Sequence, residues 1–581
     1  MASIYKIPQH RAQIGYNGFD MSQYRKFTSS VGQLLPVYYD LLNPGDKINS
    51  RSFMFSRTET LNKAAMVSLS EHLDWFFVPM EQLYHAFNEF YNGVQDFNSS
   101  FFESSLFDTC YPYFNLETLK EVFDFWSIST DGMGKFTYFA NDRLIGGALR
   151  LLDLLGFPSG QMINYLFRAD ELQNFSFIPV LLQAYQKIYM DYFRLNDREP
   201  NDPLCYNVDK FYNDAFVVKD VLSKMLTLRY APYHKDFFTN QHISPIFSAD
   251  NPSSVPNFNY LAVNQWLTNT YGLSILDAQG QSQGQGSGID TTVGITNNNF
   301  DPASPNNAPF NVANIRSMFA LDKLLEITRR AGKHYDKQTL AHFGVHVPNG
   351  ISGEVFHLAS FVSEFRIDEV TANSSGTATD GTNSFSSVLG QIGGKGYNRL
   401  ENNNSFDFTA PCHGVLMCIY HAKPIVDYYQ RGVDKINTLV NSVDWFKPEF
   451  DDLGMQPLFG FQEYLHISDD DDAYPNNRIM GWQYRYSELK SKYNTVNGGL
   501  AYIDEMKAWT TAKNPTAKND VLRTFLVDPS YLDNIMLVPY DQKFIESDSA
   551  VDLFGTDPLI HMFYFDVKKA SKMSTYGLPN L

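Results

Sequence analysis

Cysteine is scarce in this sequence, with four residues among 581. Cys110, Cys205, Cys412 and Cys418 match the spacing of no zinc or redox motif, which argues against a thiol-based site. So few thiols in so long a chain are typical of a reducing compartment.

Long apolar runs are also missing. The longest candidate, 144–157, is interrupted by Arg150 and Asp153, so no stretch approaches the roughly 18 residues of a membrane-spanning helix. The first six residues lack the apolar core of a secretion signal. We therefore expect neither an export signal nor a membrane span.

Charge is sparse and unbalanced. Charged residues make up 19% of the chain, and 46 Lys and Arg stand against 64 Asp and Glu, so the formal net charge is −18. Phosphate affinity comes from Lys and Arg that release counterions, so an acidic chain binds nucleic acid poorly on its own. If this protein encloses DNA, another component must neutralise most of the phosphate.

Aromatic residues, by contrast, are abundant, with 47 Phe and 35 Tyr. Phe and Tyr fit pleated, half-buried surfaces and contribute strongly to interfaces. Much aromatic surface with little charge suits a protein that buries its outside against copies of itself. A large β protein rich in aromatic residues remains the plainer interpretation of the same composition.

The sequence contains no recognisable catalytic or cofactor motif. The zinc-protease pattern HExxH and the nucleophile elbow GxSxG are absent. The run Gly393-Gly394-Lys395-Gly396 resembles a phosphate loop, but Leu389 replaces its first glycine and Gly396 replaces the Ser or Thr that would hold magnesium. We predict a glycine-rich turn there, and no catalytic or cofactor-binding residues in the chain.

Two clusters are candidates for a metal site. Asp469, Asp470, Asp471 and Asp472 form a run of carboxylates of the kind that calcium binds. The EF-hand pattern fails because Tyr474 occupies its glycine position, so a solvated acidic loop is favoured, with a structural divalent cation left open. His413 and His421, near Cys412 and Cys418, are predicted to be buried or interfacial rather than ligating.

Hydrophobic periodicity indicates a mainly β protein. Apolar and polar residues alternate from Val67 to Phe77, which predicts a half-buried strand, and Pro79 then favours a helix over 80–91. Further predicted strands are 355–365, 415–421, 521–527, 535–538 and 559–567. Predicted helices are 116–126 with Asn115 as N-cap, 179–193 and 311–331.

Strand signals cluster near both ends of the chain, with long mixed segments between them. Distant strands that pair across long insertions are typical of a jelly roll, so we predict a single domain, 1–581. Segments 247–310 and 371–387, rich in polar and small residues, are predicted to be exposed loops. The first contains a flexible Gln/Gly tract over 279–288.

Basic residues are scattered, with small groups near both termini. They are candidate DNA contacts, although a solvated face is the favoured alternative. The candidates are Lys6, Arg11, Arg25, Lys26, Lys568, Lys569 and Lys572.

A set of segments in fixed order resembles the major capsid protein of the Microviridae, closest to its gokushovirus-like branches. No single segment is specific, but their order along the chain is. The segments are GQLLPVYYD at 32–40 with NPGD at 43–46, WFFVP at 75–79, AYQKIYMDYFR at 184–194, RYAPYHKDFFT at 229–239, NIR at 314–316 with KLLE at 323–326, HFGV at 342–345, FGFQEY at 459–464, YRY at 484–486 and YGLP at 576–579. Three features depart from the family: Asn580 stands where Gly is expected, the Arg- and His-bearing run that often precedes the GxLxP strand is missing, and 98–179 matches nothing in it.

The resemblance implies an eight-stranded viral jelly roll with helix-bearing insertions, assembled into a T=1 icosahedral shell around circular single-stranded DNA. It implies a location in the virion after assembly in the bacterial cytoplasm. It also implies five kinds of partner besides the chain itself: an internal scaffolding protein, a small basic DNA-binding peptide, a minor DNA-delivery protein, the packaged DNA and a host receptor. By analogy, 247–310 forms a surface protrusion, with Gln279, Gln281, Gln283, Gln285 and Ser287 facing the host.

Two other classes of protein are compatible with the composition. A secreted or surface carbohydrate-binding β-sandwich would use aromatic residues for sugar stacking, but it would begin with a signal peptide or a lipoprotein cysteine. A glycoside hydrolase with a β-sandwich would carry a deep acidic cleft with paired carboxylates.

Overall fold

The computed structural model has a core of two large β-sheets. The residues that it describes are 15–92, 111–126, 143–158, 175–208, 217–243, 334–348, 353–371, 376–380, 383–387, 392–400, 405–429, 432–440, 444–451, 455–463, 479–513, 525–536 and 557–575, together with residue 442 and separate positions between 320 and 332. The predicted protrusion 247–310 and the Asp469–472 run lie outside them, as do Lys6 and Arg11.

Eleven strands build the two sheets, and every pairing between them is antiparallel. In chain order they are β1 (Asn17–Asp20), β2 (Gln23–Ser29), β3 (Leu35–Leu42), β4 (Lys47–Thr58), β5 (Leu69–Pro79), β6 (Phe356–Glu364), β7 (Arg366–Thr371), β8 (Ile392–Leu400), β9 (Ser405–Thr409), β10 (Gly414–Pro424) and β11 (Leu559–Ser571).

The seven-stranded sheet is five strands wide. Its order is β1-β11-β4-β8-β7. β1 and β2 pair with different parts of the same edge of β11, and β8 and β9 pair with different parts of the same edge of β4, so each pair occupies one strand position. The four-stranded sheet has the order β3-β10-β5-β6. Strands far apart in sequence are thus neighbours, which confirms a mainly β protein with the architecture of a β-sandwich.

The sheets pack face to face through aromatic side chains. Trp75 of β5 and Tyr38 of β3 both contact Phe565 of β11, with ring centroids 5.7 and 5.4 Å apart. β11 alternates between buried and accessible residues along its length, as expected for a strand with one face in the core. β4 instead turns small hydroxyl side chains inward, and the Trp75 indole donates to Ser52 Oγ at 3.2 Å. Small residues opposite large ones let the two layers interdigitate.

β5 confirms the strand predicted for this region but is not half-buried. Its polar residues Ser70, Glu71 and Asp74 are buried along with its apolar ones. The reason is a covering helix: Val180–Ile188 and the π-turn Tyr189–Phe193 lie on the outer face of this sheet, and the Phe193 ring packs 6.0 Å from that of Phe76. The two faces of β5 therefore meet different parts of the core.

The helices lie mostly in the connections between strands. They are α1 (Met80–Leu83), α2 (Phe87–Asn92), α3 (Leu116–Trp126), α4 (Arg143–Leu154), α5 (Val180–Ile188), α6 (Lys219–Met225), α7 (Tyr335–Phe343), α8 (Pro448–Asp451), α9 (Gly460–Glu463), α10 (Ser487–Lys490) and α11 (Gly499–Tyr502). The N-cap prediction is confirmed, because Asn115 Oδ1 accepts from the Thr118 backbone N–H at 2.8 Å. The helix predicted over 80–91 is broken into α1 and α2 at the extended residue Tyr84.

Segment 371–387 is not the simple loop that we predicted. Gly376–Asp380 and Asn383–Ser387 pair as an antiparallel hairpin, with Asp380 opposite Asn383. The physical reason is the two-residue connection Gly381-Thr382, because glycine at the first of two connecting residues favours a tight hairpin turn, together with the β-branched Thr377 and Thr379. The remaining small sheets pair 114–115 with 176–177, 427–429 with 494–496, and 455–459 with 479–484.

Two other predicted strands, 521–527 and 535–538, are described only at 525–527 and 535–536. There they make single bridges, Leu526 with Pro232 and Met536 with Leu61. Within the described ranges, no helix is long and apolar enough to cross a bilayer.

Candidate assembly and nucleic-acid surfaces

The predicted DNA contacts have different surroundings. Lys26 and Lys572 are exposed, whereas Arg25 is half-buried and donates to the carbonyl of Leu154. Lys568 is exposed but paired with Asp20 and Asp566, at 2.7 and 3.3 Å. The Asp20 pKa falls to about 2, chiefly through its hydrogen bond with that lysine.

Lys569 must be removed from the predicted set. Its buried ammonium lies 3.0 Å from Asp40, 3.6 Å from Asp46 and 2.9 Å from the carbonyl of Leu41. An ammonium has three donors, and these partners engage them inside the protein. The alternation of β11 explains the difference between neighbours, because Lys568 points outward and Lys569 inward.

The glycine-rich run 393–396 forms neither a phosphate loop nor the predicted turn. It lies inside β8, paired with β7. A Cβ added to Gly394 would lie 2.4 Å from the carbonyl oxygen of Lys63, and the Gly396 N–H donates to Thr58 Oγ1 at 2.7 Å. Close approach of backbone accounts for these glycines without a ligand.

A polar network lies between the two sheets around the buried Glu71. Its carboxylate accepts from Tyr420 Oη at 2.6 Å and from the Asn398 amide, and His561 Nδ1 lies 3.5 Å away. Burial raises the pKa of Glu71 to about 7 and lowers that of His561 to about 3. Because Glu71 and His561 are fully buried, a substrate cannot reach this acid and base. The hydrogen bonds of the network join strands of both sheets and stabilise the sandwich.

A histidine cluster lies on the other face of the same strands. The rings of His72 and His421 stack with centroids 4.8 Å apart, and His234 lies 5.7 Å from His72. His421 is buried, as predicted, and its Nδ1 lies 3.6 Å from Asp74. Burial, followed by the charge of Lys423, lowers the pKa of His72 to about 4 and that of His421 well below its usual value. The described residues include no group of three or more side chains arranged to hold a metal.

His413, the other predicted histidine, is half-buried. Its ring lies 4.4 Å from that of Tyr91 and 5.6 Å from that of Phe87. It packs against aromatic rings of α2 rather than joining the cluster.

A surface cleft of about 600 Å³ opens at one end of the seven-stranded sheet. Its lining includes two lysines with accessible ammonium groups, Lys47 and Lys568, and two acids, Asp20 and Asp407. This balance of charges is not the acidic cleft that a glycoside hydrolase would need.

Two segments expose large apolar side chains. Every described side chain of α7 remains accessible, and Phe343 at its end is 79% exposed, with Val345 just beyond it. The second segment, 436–446, exposes Val440 (85%) and Trp445 (62%). Exposed apolar side chains of this size are candidates for protein–protein contacts.

The segment 98–179, which has no counterpart in the family resemblance, contributes directly to the core. Val122 and Phe123 of α3 and Leu149 and Leu152 of α4 are fully buried. Arg150 of α4 also forms a buried ion pair with Asp557, 2.8 Å away, just before β11. The described helices of this segment therefore pack into the core of the fold.

Comparison with known proteins identifies the family. The model of the capsid protein (F protein) family matches residues 9–108 and 155–581. The unmatched part is 109–154, which carries α3 and α4, so the prediction that all of 98–179 lacks a counterpart was wrong for 98–108 and 155–179. Capsid protein VP1 of Bdellovibrio phage phiMH2K is 23% identical over 571 residues, which cover 97% of this chain and 94% of that protein. Capsid protein VP1 of Chlamydia phage 1 is 20% identical over 639 residues, which cover 98% and 96%. The chain therefore belongs to the capsid protein (F protein) family, as a structural protein of a phage shell.

Proposed function

We propose that this protein is the subunit of a T=1 icosahedral shell that encloses circular single-stranded DNA. The observation that carries the proposal is the family match along nearly the whole chain. The exposed apolar segments at α7 and 436–446 support it, because a subunit that closes into a shell can bury such surface against identical neighbours.

We further propose that the sandwich is an eight-stranded viral jelly roll. When β8 and β9 are counted together as one strand position, the eight strands in chain order are β2, β3, β4, β5, β6, β8/β9, β10 and β11. Numbered one to eight, they form sheets of order 1-8-3-6 and 2-7-4-5, and β7 is an additional edge strand beside the sixth. Two interleaved Greek keys produce this alternation, which supports the assignment.

The proposed partners follow from the family and from charge. A chain of net charge −18 needs a basic partner to neutralise packaged phosphate, which suits a small basic peptide. A scaffolding protein, a minor DNA-delivery protein and a host receptor complete the set, with assembly in the bacterial cytoplasm. The tract 279–288 is proposed to face the receptor. Asp469–472 is proposed to be a solvated acidic loop, with a structural divalent cation as the alternative.

A non-enzymatic role is part of this proposal. Its support is that the relatives carry the name of capsid proteins. The buried acid and base at Glu71 and His561 serve packing in this account rather than chemistry.

The test is to express the full chain with its scaffolding partner and to examine the product by negative-stain microscopy and sedimentation. We expect closed particles of uniform diameter. Subunits that stay monomeric at high concentration with that partner present would overturn the proposal.

A further inference from the structure

The outer face of the seven-stranded sheet combines rings and cations. Strand register places Tyr24 of β2 and Phe53 of β4 on either side of Tyr564 of β11, in one row across three strands. The rings of Tyr24 and Tyr564 lie 4.5 Å apart, and those of Phe53 and Tyr564 lie 5.9 Å apart at 29°. Tyr24 is 67% exposed. The row is therefore a nearly continuous aromatic strip that faces out of the fold.

Basic side chains flank this strip on the same face. Lys26 lies two residues along β2 from Tyr24, and Arg51 two residues along β4 from Phe53. Arg57 lies further along β4, with its guanidinium 4.9 Å from the Phe55 ring. Two residues along a strand span about 6.8 Å, so Lys26 and Arg51 each lie about that far along their strand from the aromatic strip. We call Tyr24, Lys26, Arg51, Phe53, Arg57 and Tyr564 the basic aromatic face.

The charge of this face contrasts with that of the chain. Lys26, Arg51 and Arg57 have no ion-pair partner among the residues that the structure describes, although Asp566 lies opposite Arg51 in register. On the neighbouring strand β8, the exposed Lys395 lies opposite Asp368 of β7 in register, so it adds little to this charge. Lys26, Arg51 and Arg57 thus give this face a local excess of positive charge in a protein of net charge −18.

We infer that the basic aromatic face binds single-stranded polynucleotide, with bases stacked on the ring strip and phosphates held by the flanking cations. This deepens the proposed function: it rests on that function and assigns this face of the sheet to the inside of the shell.

Charge and shape together select this occupant. Stacking platforms between cationic side chains are the usual means of binding single strands without sequence preference. A duplex hides the faces of its bases, so it uses the cations but not the rings. The small basic peptide of the proposed assembly would be repelled by the same cations. A second copy of the chain, the remaining alternative, is an outcome of the test.

The test measures the binding of full-length, unassembled subunits to an oligodeoxythymidine of about 30 nucleotides, across a salt series. The variant K26Q/R51Q/R57Q should weaken binding and make the slope of log K against log salt shallower by about 2, since each contact on a single strand contributes about 0.7. Tyr24→Ala should weaken binding to the single strand by roughly tenfold and leave duplex binding unchanged.

The matched control is K337Q/K492Q, which removes two exposed lysines from other surfaces and should leave binding unchanged. R51K/R57K tests folding and charge together, because it keeps both cations and should retain the salt slope. Unaltered single-strand affinity in K26Q/R51Q/R57Q and Tyr24→Ala would overturn the inference. A loss of subunit association in those variants, with unaltered affinity, would assign the face to a second copy.

Particle formation separates this inference from the proposed function. We expect variants of the basic aromatic face to form shells with less nuclease-protected DNA. Normal DNA content in such shells would contradict the inference alone, whereas failure of the unmodified chain to form shells would contradict the proposed function.

Discussion

Arg150 Nη2 lies 2.8 Å from Asp557 Oδ1, and both side chains are almost completely buried. The arginine comes from the insertion that the family model omits, and the aspartate directly precedes β11 of the core. Arg150 also donates to Gln33 Oε1 at 2.8 Å, and Thr28 donates to the other Asp557 oxygen at 2.6 Å. A helix outside the family match thus stabilises a strand of the common fold.

Breaking this ion pair is expected to be costly. Arg150→Met leaves a buried carboxylate without its cation, so the free energy of unfolding should fall by about 3–5 kcal/mol. Urea denaturation of the unassembled subunit measures this change in the free energy of unfolding. The double variant R150M/D557N should recover part of the loss, and Lys224→Met, in a partly exposed pair with Asp202, should cost less than about 1 kcal/mol. Equal losses in Arg150→Met and Lys224→Met would contradict the role of the buried pair.

The raised pKa of Glu71 predicts that the free energy of unfolding falls as pH rises. Its pKa is raised from 4.5 to about 7, so the folded state holds the proton more tightly than the unfolded chain. The resulting stabilisation is fully present below pH 4.5 and is lost by about pH 7, an effect on the order of 3 kcal/mol. Comparing wild type with Glu71→Gln at several pH values isolates it. A difference between the two proteins that does not change between pH 4.5 and 7.5 would exclude the effect.

The histidine cluster predicts the opposite trend. The pKa of His72 is lowered from 6.5 to about 4, so its neutral form is favoured in the fold. The stabilisation is present above pH 6.5 and is lost as pH falls towards 4, because the unfolded chain then binds the proton first. Replacing His72 by Phe keeps a ring against His421 and should reduce the loss of thermal stability between pH 7 and pH 5. An undiminished loss in the variant would contradict this origin.

The exposed end of α7 is predicted to be an assembly contact. Phe343→Asp places a charge where a neighbouring subunit would bury a ring, so particle yield should fall severalfold while the subunit stays folded. Sedimentation measures the yield, and circular dichroism checks the fold. Asn497→Asp, at another exposed position, is the control. Normal yield of Phe343→Asp particles would place the interface elsewhere.

The Gln/Gly tract is predicted to be dispensable for assembly. Deleting 279–288 should leave particle formation intact and change only attachment to host cells, because the tract has too few apolar residues to contribute a core. Particle yield and adsorption to the host are the two measurements. Loss of particles would contradict an exposed position.

The ordered motifs and the period-two alternation of 67–77, 355–365, 415–421 and 559–567 are enough to predict the family, the β class and four of the strands. β4 does not show this pattern, because the residues that it turns inward are largely Ser and Thr, which form no apolar stripe. The arginines of β4, and with them the basic aromatic face, could not be predicted for that reason.

Sequence alone determined which side chains alternate, because the pleat of a strand is a local property. Only the tertiary structure decided which strands are neighbours and what covers them. Lys568 and Lys569 differ in environment because of what lies across the sheet, not because of their adjacent positions. The Arg150 pair, the buried Glu71 and the row of Tyr24, Tyr564 and Phe53 join residues hundreds of positions apart, a proximity that long-range packing alone creates.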